Sequence, residues 1–239
     1  MARLHPQLTV APFDSAPRLL AESARLFASR FGFIVTITIL VYLPGHLLYQ
    51  FLIDAFEVPS TGILSVLLLD LLDLVLSSLA IPAVVYGLVR KPSLGPSMDW
   101  GRRQWARMLG WQLLVDITVI LYAALLIIPG LVAMVKLAFV PAIVAIEGEH
   151  ESRPLERSRE LARGRMWRIA VVLLPLMLVD FAADFLLLGK IKDVESERFL
   201  FVAAEVGIAV VSQITTIAIL LMYLGLREQR TAQRKIAKL

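Results

Sequence analysis

Apolar residues run along this chain in six long stretches, 31–53, 63–89, 108–128, 131–146, 169–188 and 200–226, separated by short polar or basic segments. A helix rises about 1.5 Å per residue and a bilayer's hydrocarbon core is about 30 Å thick, so about 20 residues cross it. Five stretches reach that length, and the fourth, with 16 residues, is short. The pattern predicts six transmembrane helices. The connections at one end are brief: 54–62, a turn at Pro129-Gly130, and 189–199.

Amphipathic segments precede the odd-numbered spans: "ARLFASRFGF" (24–33), "RRQWARMLGW" (102–111) and "SRELARGRMW" (158–167). In each, an alanine (Ala28, Ala106, Ala162) is followed five residues later by an aromatic (Phe33, Trp111, Trp167), with arginines around it. Such a segment suits a short helix in the membrane plane, its arginines at phosphates and its aromatic anchoring the interface. The first begins around Asp14-Ser15, with Pro17 in its first turn. The expected fold is all-α: three hairpins, each preceded by a short basic in-plane helix. Residues 1–30 form an N-terminal segment with an amphipathic helix, 31–226 a six-helix membrane domain, and 227–239 a basic tail. A plainer reading of the threefold pattern is that any basic loop between spans carries arginines and interfacial aromatics.

Composition strengthens the membrane reading. Hydrophobic residues are 58% of 239, charged residues 18%, and the mean hydropathy is +0.76. That leaves too little polar surface for a soluble domain. Cysteine is absent, which excludes disulfides and thiolate metal sites. The opening residues lack the basic-then-apolar order of a cleavable signal peptide. Lysines and arginines number four before the first span, five in the second loop, six in the fourth and five in the tail, against three at the opposite end. This bias predicts cytoplasmic N- and C-termini. It also accounts for a pI near 9.6 by topology and anionic headgroups, without nucleic acid.

Seven ionisable residues fall inside the stretches: Asp70, Asp73, Asp116, Lys136, Asp180, Asp184 and Glu205. Each costs about 2.5–3.5 kcal/mol at the bilayer centre, so such groups face the bundle interior, pair, or line water. Counted at about 1.5 Å per residue from the less basic end, Glu205 lies at about 8 Å, Lys136 at about 9 Å, Asp70 at about 11 Å and Asp180 at about 12 Å. Asp73 lies at about 16 Å and Asp116 at about 20 Å on the same count. Asp70, Asp73 and Ser77 share a helix face, as do Asp180 and Asp184. The expectation is one polar cluster in the less basic half, with Lys136 neutralising acids from neighbouring helices. Asp116, the outlier by depth, meets Lys136 only if the short fourth span sits low. Such a cluster serves as glue between helices, as a proton, cation or headgroup site, or as a docking place for a partner's helix.

The segment "PGLVAMVKLAFVPAIVAIEGEHESRPLERSRELARGRMW" (129–167) resembles a known bacterial family. It is similar to the six-helix membrane domain fused to some glycerophosphodiester phosphodiesterases and to the related YciC-like inner-membrane proteins. The residues carrying the resemblance are Pro129, Gly130, Lys136, Pro141, Glu147, Arg157, Ser158, Gly164 and Trp167. It implies a six-span architecture in a bacterial cytoplasmic membrane. It implies no activity, because the chain has no counterpart of the phosphodiesterase domain.

Other chemistry finds little support. The three histidines (His5, His46, His150) are far apart, so no zinc site follows from spacing. His46 reads as a satisfied interior side chain beside a proline kink. No serine- or aspartyl-type intramembrane protease motif occurs, and no phosphate-cradling glycine loop. The charged segment 147–168 reads as a solvated helix or as a docking site for a partner or headgroup, with Arg157 and Ser158 making any specific contact. The resulting expectation is a non-enzymatic inner-membrane protein without cofactor, accessory to envelope or lipid homeostasis or to assembly of a membrane partner. The alternative is a small proton- or cation-linked transporter or lipid-handling protein using the acidic cluster with Lys136.

Overall fold

The computed structural model describes residues 15–56, 62–90, 92–148, 153–188 and 197–236. Asp14, His5, His150, Lys190, Lys192 and the last three residues of the tail lie outside the described residues. Nine α-helices and no strand occur among the described residues: α1 (Ala16–Ser29), α2 (Phe31–Ala55), α3 (Ile63–Val89), α4 (Leu94–Leu125), α5 (Ile127–Leu137), α6 (Val140–Glu147), α7 (Pro154–Ala162), α8 (Met166–Leu187) and α9 (Arg198–Ile236).

Six stretches are long and apolar enough to cross a membrane: α2, α3, α4, α5 continued by α6, α8 and α9. Their outward faces carry Phe51, Ile120, Leu178, Phe181 and Phe185, each at least 65% exposed. In water, patches of that kind drive association; in a bilayer, lipid tails cover them. This is a multi-pass membrane protein.

The core is uneven along the bundle. Buried side chains concentrate where α2 begins (Ile34, Ile37), where α3 ends (Ala83, Val84, Val85), and around Met108, Ile143, Leu161 and Tyr223. The other end is loosely packed: Leu64, Leu67 and Leu71 of α3 and Leu121 and Leu125 of α4 are exposed. Between lipid-facing helices the hydrophobic effect contributes little, so close contacts and hydrogen bonds decide where helices meet. Trp100 Nε1 donates to the Ala145 carbonyl at 2.9 Å, and Trp105 Nε1 to that of Val75 at 3.2 Å. At the loose end, Arg198 of α9 pairs with Asp54 of α2.

α1 starts where the sequence places it, after Ser15 and with Pro17 in its first turn. It packs mainly on α9 and buries Leu19 and Ser23. Three expectations change. The connection between α4 and α5 is the extended residue Leu126 (φ −162°, ψ 144°), not Pro129-Gly130. Pro129 fits inside the first turn of α5, where its missing N–H has no helical partner to lose. The middle basic segment, 102–111, is no separate helix. It lies within α4, whose 32 residues run about 48 Å without a break, so every backbone group there stays satisfied up to the membrane edge. The three expected anchors also differ from one another. Trp167 is 77% exposed, but Phe33 and Trp111 are half-buried against the core.

Candidate functional site: a carboxylate cavity and a basic groove

Between α2, α3, α4 and α9 lies a cavity of about 410 Å³. Asp70 and Asp73 of α3, Asp116 of α4 and Glu205 of α9 line it, with Tyr42 and Gln112 beside them. No lysine or arginine is among its lining residues. Glu205 is 7% exposed, and its Oε1 has no hydrogen-bond partner among the described residues. Gln112 Nε2 approaches Ser77 Oγ at 3.5 Å, while its Oε1 is also unpartnered.

Asp116 joins this cluster because α4 ends at Leu125, earlier than the apolar stretch suggests. Counted from that end it lies at about 15 Å, level with Asp73. Asp184 is within electrostatic reach of Asp73 and Glu205. Asp180 sits apart from the cavity lining and accepts a hydrogen bond from Thr215 Oγ1 at 3.0 Å.

His46 is a member the sequence reading left out. Its side chain is 1% exposed, its Nε2 stands 3.4 Å from Asp73 Oδ1, and its ring stacks on Tyr42 with centroids 6.0 Å apart. Neither ring nitrogen has a hydrogen-bond partner among the described residues, so it is not the satisfied interior side chain expected. The missed signal was the i, i+4 spacing of Tyr42 and His46, which puts both on one face of α2. Among the described residues no three His, Asp or Glu side chains are placed to hold a metal.

Lys136 does not join the acids. It lines a separate groove of about 570 Å³ with Arg159 of α7, Arg163 just past the end of α7, Thr118 and Tyr122 of α4, and Met166 of α8. Helix geometry explains the separation. Successive residues turn by about 100°, so Asp116 and Thr118 point to opposite sides of α4. α4 is thus the wall between an acidic cavity and a basic groove.

The remaining residues of the resemblance are structural. Pro141 lacks an N–H, and the helix breaks at Ala138 and Phe139, between α5 and α6. Ser158, fully buried, bridges the break: its Oγ donates to the Lys136 carbonyl at 2.8 Å and accepts from the Phe139 N–H at 3.2 Å. Gly130 packs so tightly on α4 that a Cβ would come within 2.8 Å of Ala123 Cα. Gly164 has φ +76°, a conformation that favours glycine. Glu147 accepts a hydrogen bond from the buried Tyr223 hydroxyl. Glu160 accepts from Arg230 through its carbonyl, and its carboxylate lies 3.6 Å from Arg157 and 3.5 Å from Arg230.

A match to the family described as Domain of unknown function (DUF7847) covers residues 60–226, well over half of the chain. The chain belongs to that family. The DUF7847 region takes in α3 to α8 and most of the length of α9 that lies in the membrane, and hence the whole basic groove and every carboxylate of the acidic cavity. His46 and Tyr42 lie before it. No curated protein and no solved structure matches this DUF7847 protein.

Proposed function

We infer that this DUF7847 protein is a small, non-enzymatic transporter of protons or monovalent cations that works through the carboxylate cavity. One observation carries the reading: buried Glu205, whose Oε1 has no hydrogen-bond partner among the described residues, faces a cavity shared with Asp70, Asp73 and Asp116, with no lysine or arginine among its described lining residues. Like charges so placed in a low-dielectric slab repel, and uptake of protons or a cation relieves that repulsion. Glue between helices would instead pair each acid with a donor, as Asp180 pairs with Thr215. His46, 3.4 Å from Asp73, adds a further polar side chain beside the carboxylates.

The orientation belongs to the same proposal. The arginine- and lysine-rich segments at one end of the spans support an orientation with both termini in the cytoplasm of a bacterial cell. α1 and α7 then lie along the inner headgroups, each leading into a hairpin. Kinship with the six-helix domain of phosphodiesterase-linked membrane proteins is an architectural proposal resting on the 129–167 motif. The accessory role in envelope homeostasis stays secondary, because it leaves the open acidic cavity without a use.

The test is flux in proteoliposomes carrying an entrapped pH-sensitive dye, with sodium and potassium gradients imposed in turn. Glu205→Gln and Asp73→Asn lower the flux at least about tenfold while thermal stability stays near wild type. Wild-type flux no higher than that of protein-free vesicles, for protons and for both cations, sinks the proposal.

A further inference from the structure

The basic groove on the other side of α4 has no part in this proposal. Lys136, Arg159 and Arg163 converge on its 570 Å³, and none of its lining residues is acidic. Among the described residues none of these three cations forms an ion pair: the carboxylates of α7, Glu156 and Glu160, lie against Arg153, Arg157 and Arg230 instead. Lys136 is held at this point by the backbone, since its carbonyl is fixed by Ser158. Met166, the first residue of α8, also lines the groove and brings the partial positive charge of a helix start.

Three like charges gathered with no acidic side chain among the described residues of the lining call for an anion. The shape of the groove says which kind. Below the cations its wall continues along α4 and α5 through Tyr122, Pro129, Val132 and Ala133, toward the end of the bundle where Leu125, Leu126, Ile127 and Ile128 face outward. One end therefore suits a phosphate and the other a hydrocarbon chain. Arginine forks match phosphate oxygens, and a lysine adds a point charge.

We propose that the groove between α4, α5, α7 and α8 binds one anionic phospholipid, its phosphate held by Lys136, Arg159 and Arg163 and an acyl chain laid along Tyr122, Val132 and Ala133. The site is independent of the carboxylate cavity and does not require transport.

Native mass spectrometry of the delipidated protein in a non-ionic detergent tests it, with phosphatidylglycerol, phosphatidylcholine or glycerol 3-phosphate added at equal concentration. The expected result is a single retained phosphatidylglycerol, a weaker phosphatidylcholine adduct and no glycerol phosphate adduct. Arg159→Gln with Arg163→Gln, both at exposed positions, lowers phosphatidylglycerol affinity roughly thirtyfold, from about a factor of five for each lost charge. Arg102→Gln with Arg103→Gln on α4 leaves it unchanged. Equal loss from the two pairs means diffuse attraction of headgroups and overturns the site. Glycerol phosphate binding as tightly as the lipid overturns the lipid assignment. Lys136→Gln adds to the loss if it folds; if it does not, the arginine pair decides alone.

Discussion

Ser158 does with one hydroxyl what a turn of helix would otherwise do with its own backbone. The break ahead of Pro141 leaves the Lys136 carbonyl and the Phe139 N–H without helical partners, and in a membrane such groups find no water. The serine from α7 supplies both a donor and an acceptor. Ser158→Ala removes both and adds no bulk. Leaving buried backbone groups unsatisfied costs about 1–3 kcal/mol, so the variant should melt earlier in the same detergent, measured by thermal unfolding. Ser158→Thr keeps the hydroxyl and tests whether the loss comes from hydrogen bonding. Wild-type stability in Ser158→Ala would show that the break is satisfied in another way. In sequence, Ser158 looked like a surface contact beside Arg157, because nothing in its own segment reveals a partner nineteen or twenty-two residues upstream.

Among the helices, the pair α4 and α5 depends on one small residue. Gly130 lies against the backbone of Ala123, which cannot move aside as a flexible side chain would. Gly130→Ala therefore pushes the two helices apart, at about 1–3 kcal/mol for overpacking, and widens the groove that holds Lys136. Spin labels on α4 and α5 should report a longer separation by pulsed electron resonance. An unchanged distance would mean that the strain is absorbed within one helix. The spans themselves were legible in sequence, because twenty-residue apolar runs admit little else. Their exact ends were not. Apolar residues continue through Leu125, Leu126 and Ile127, so hydropathy could not mark the turn, and the depth of Asp116 was misjudged with it. The side of the bundle reached by Lys136 was equally hidden. The face that α5 turns to α4 depends on the packing of Gly130 and on the break at Phe139, neither of which has a periodic signature. The carboxylate cluster fared better: the spacing of Asp70 with Asp73 placed both on one face of α3, and both line the cavity. Asp180 was grouped with them by depth alone, and depth does not say which way a side chain points.

At the scale of the whole molecule, the proposed orientation is open to direct measurement. The chain contains no cysteine, so each single-cysteine variant carries one label and needs no background removed. Gln229→Cys and Ser29→Cys, the latter at an exposed position, should react with the reagent only after the cells are permeabilised. Phe199→Cys and Ile63→Cys, both highly exposed, should react with a membrane-impermeant thiol reagent added outside. Reaction of Gln229→Cys from outside would invert the topology and transfer the basic segments to the other face.

α9 is the one described helix without a proline, and its 39 residues carry no interruption. Glu205 stands near its beginning and Arg230 near its end, 25 residues or about 38 Å apart. The helix thus joins a carboxylate of the cavity at one end to the contact with α7 at the other. A tilt of about 4° about the loose end would carry Arg230 some 2–3 Å, enough to pull it from Glu160. Any tilt imposed at the Glu205 end would therefore be felt at the contact with α7, because one unbroken helix carries both.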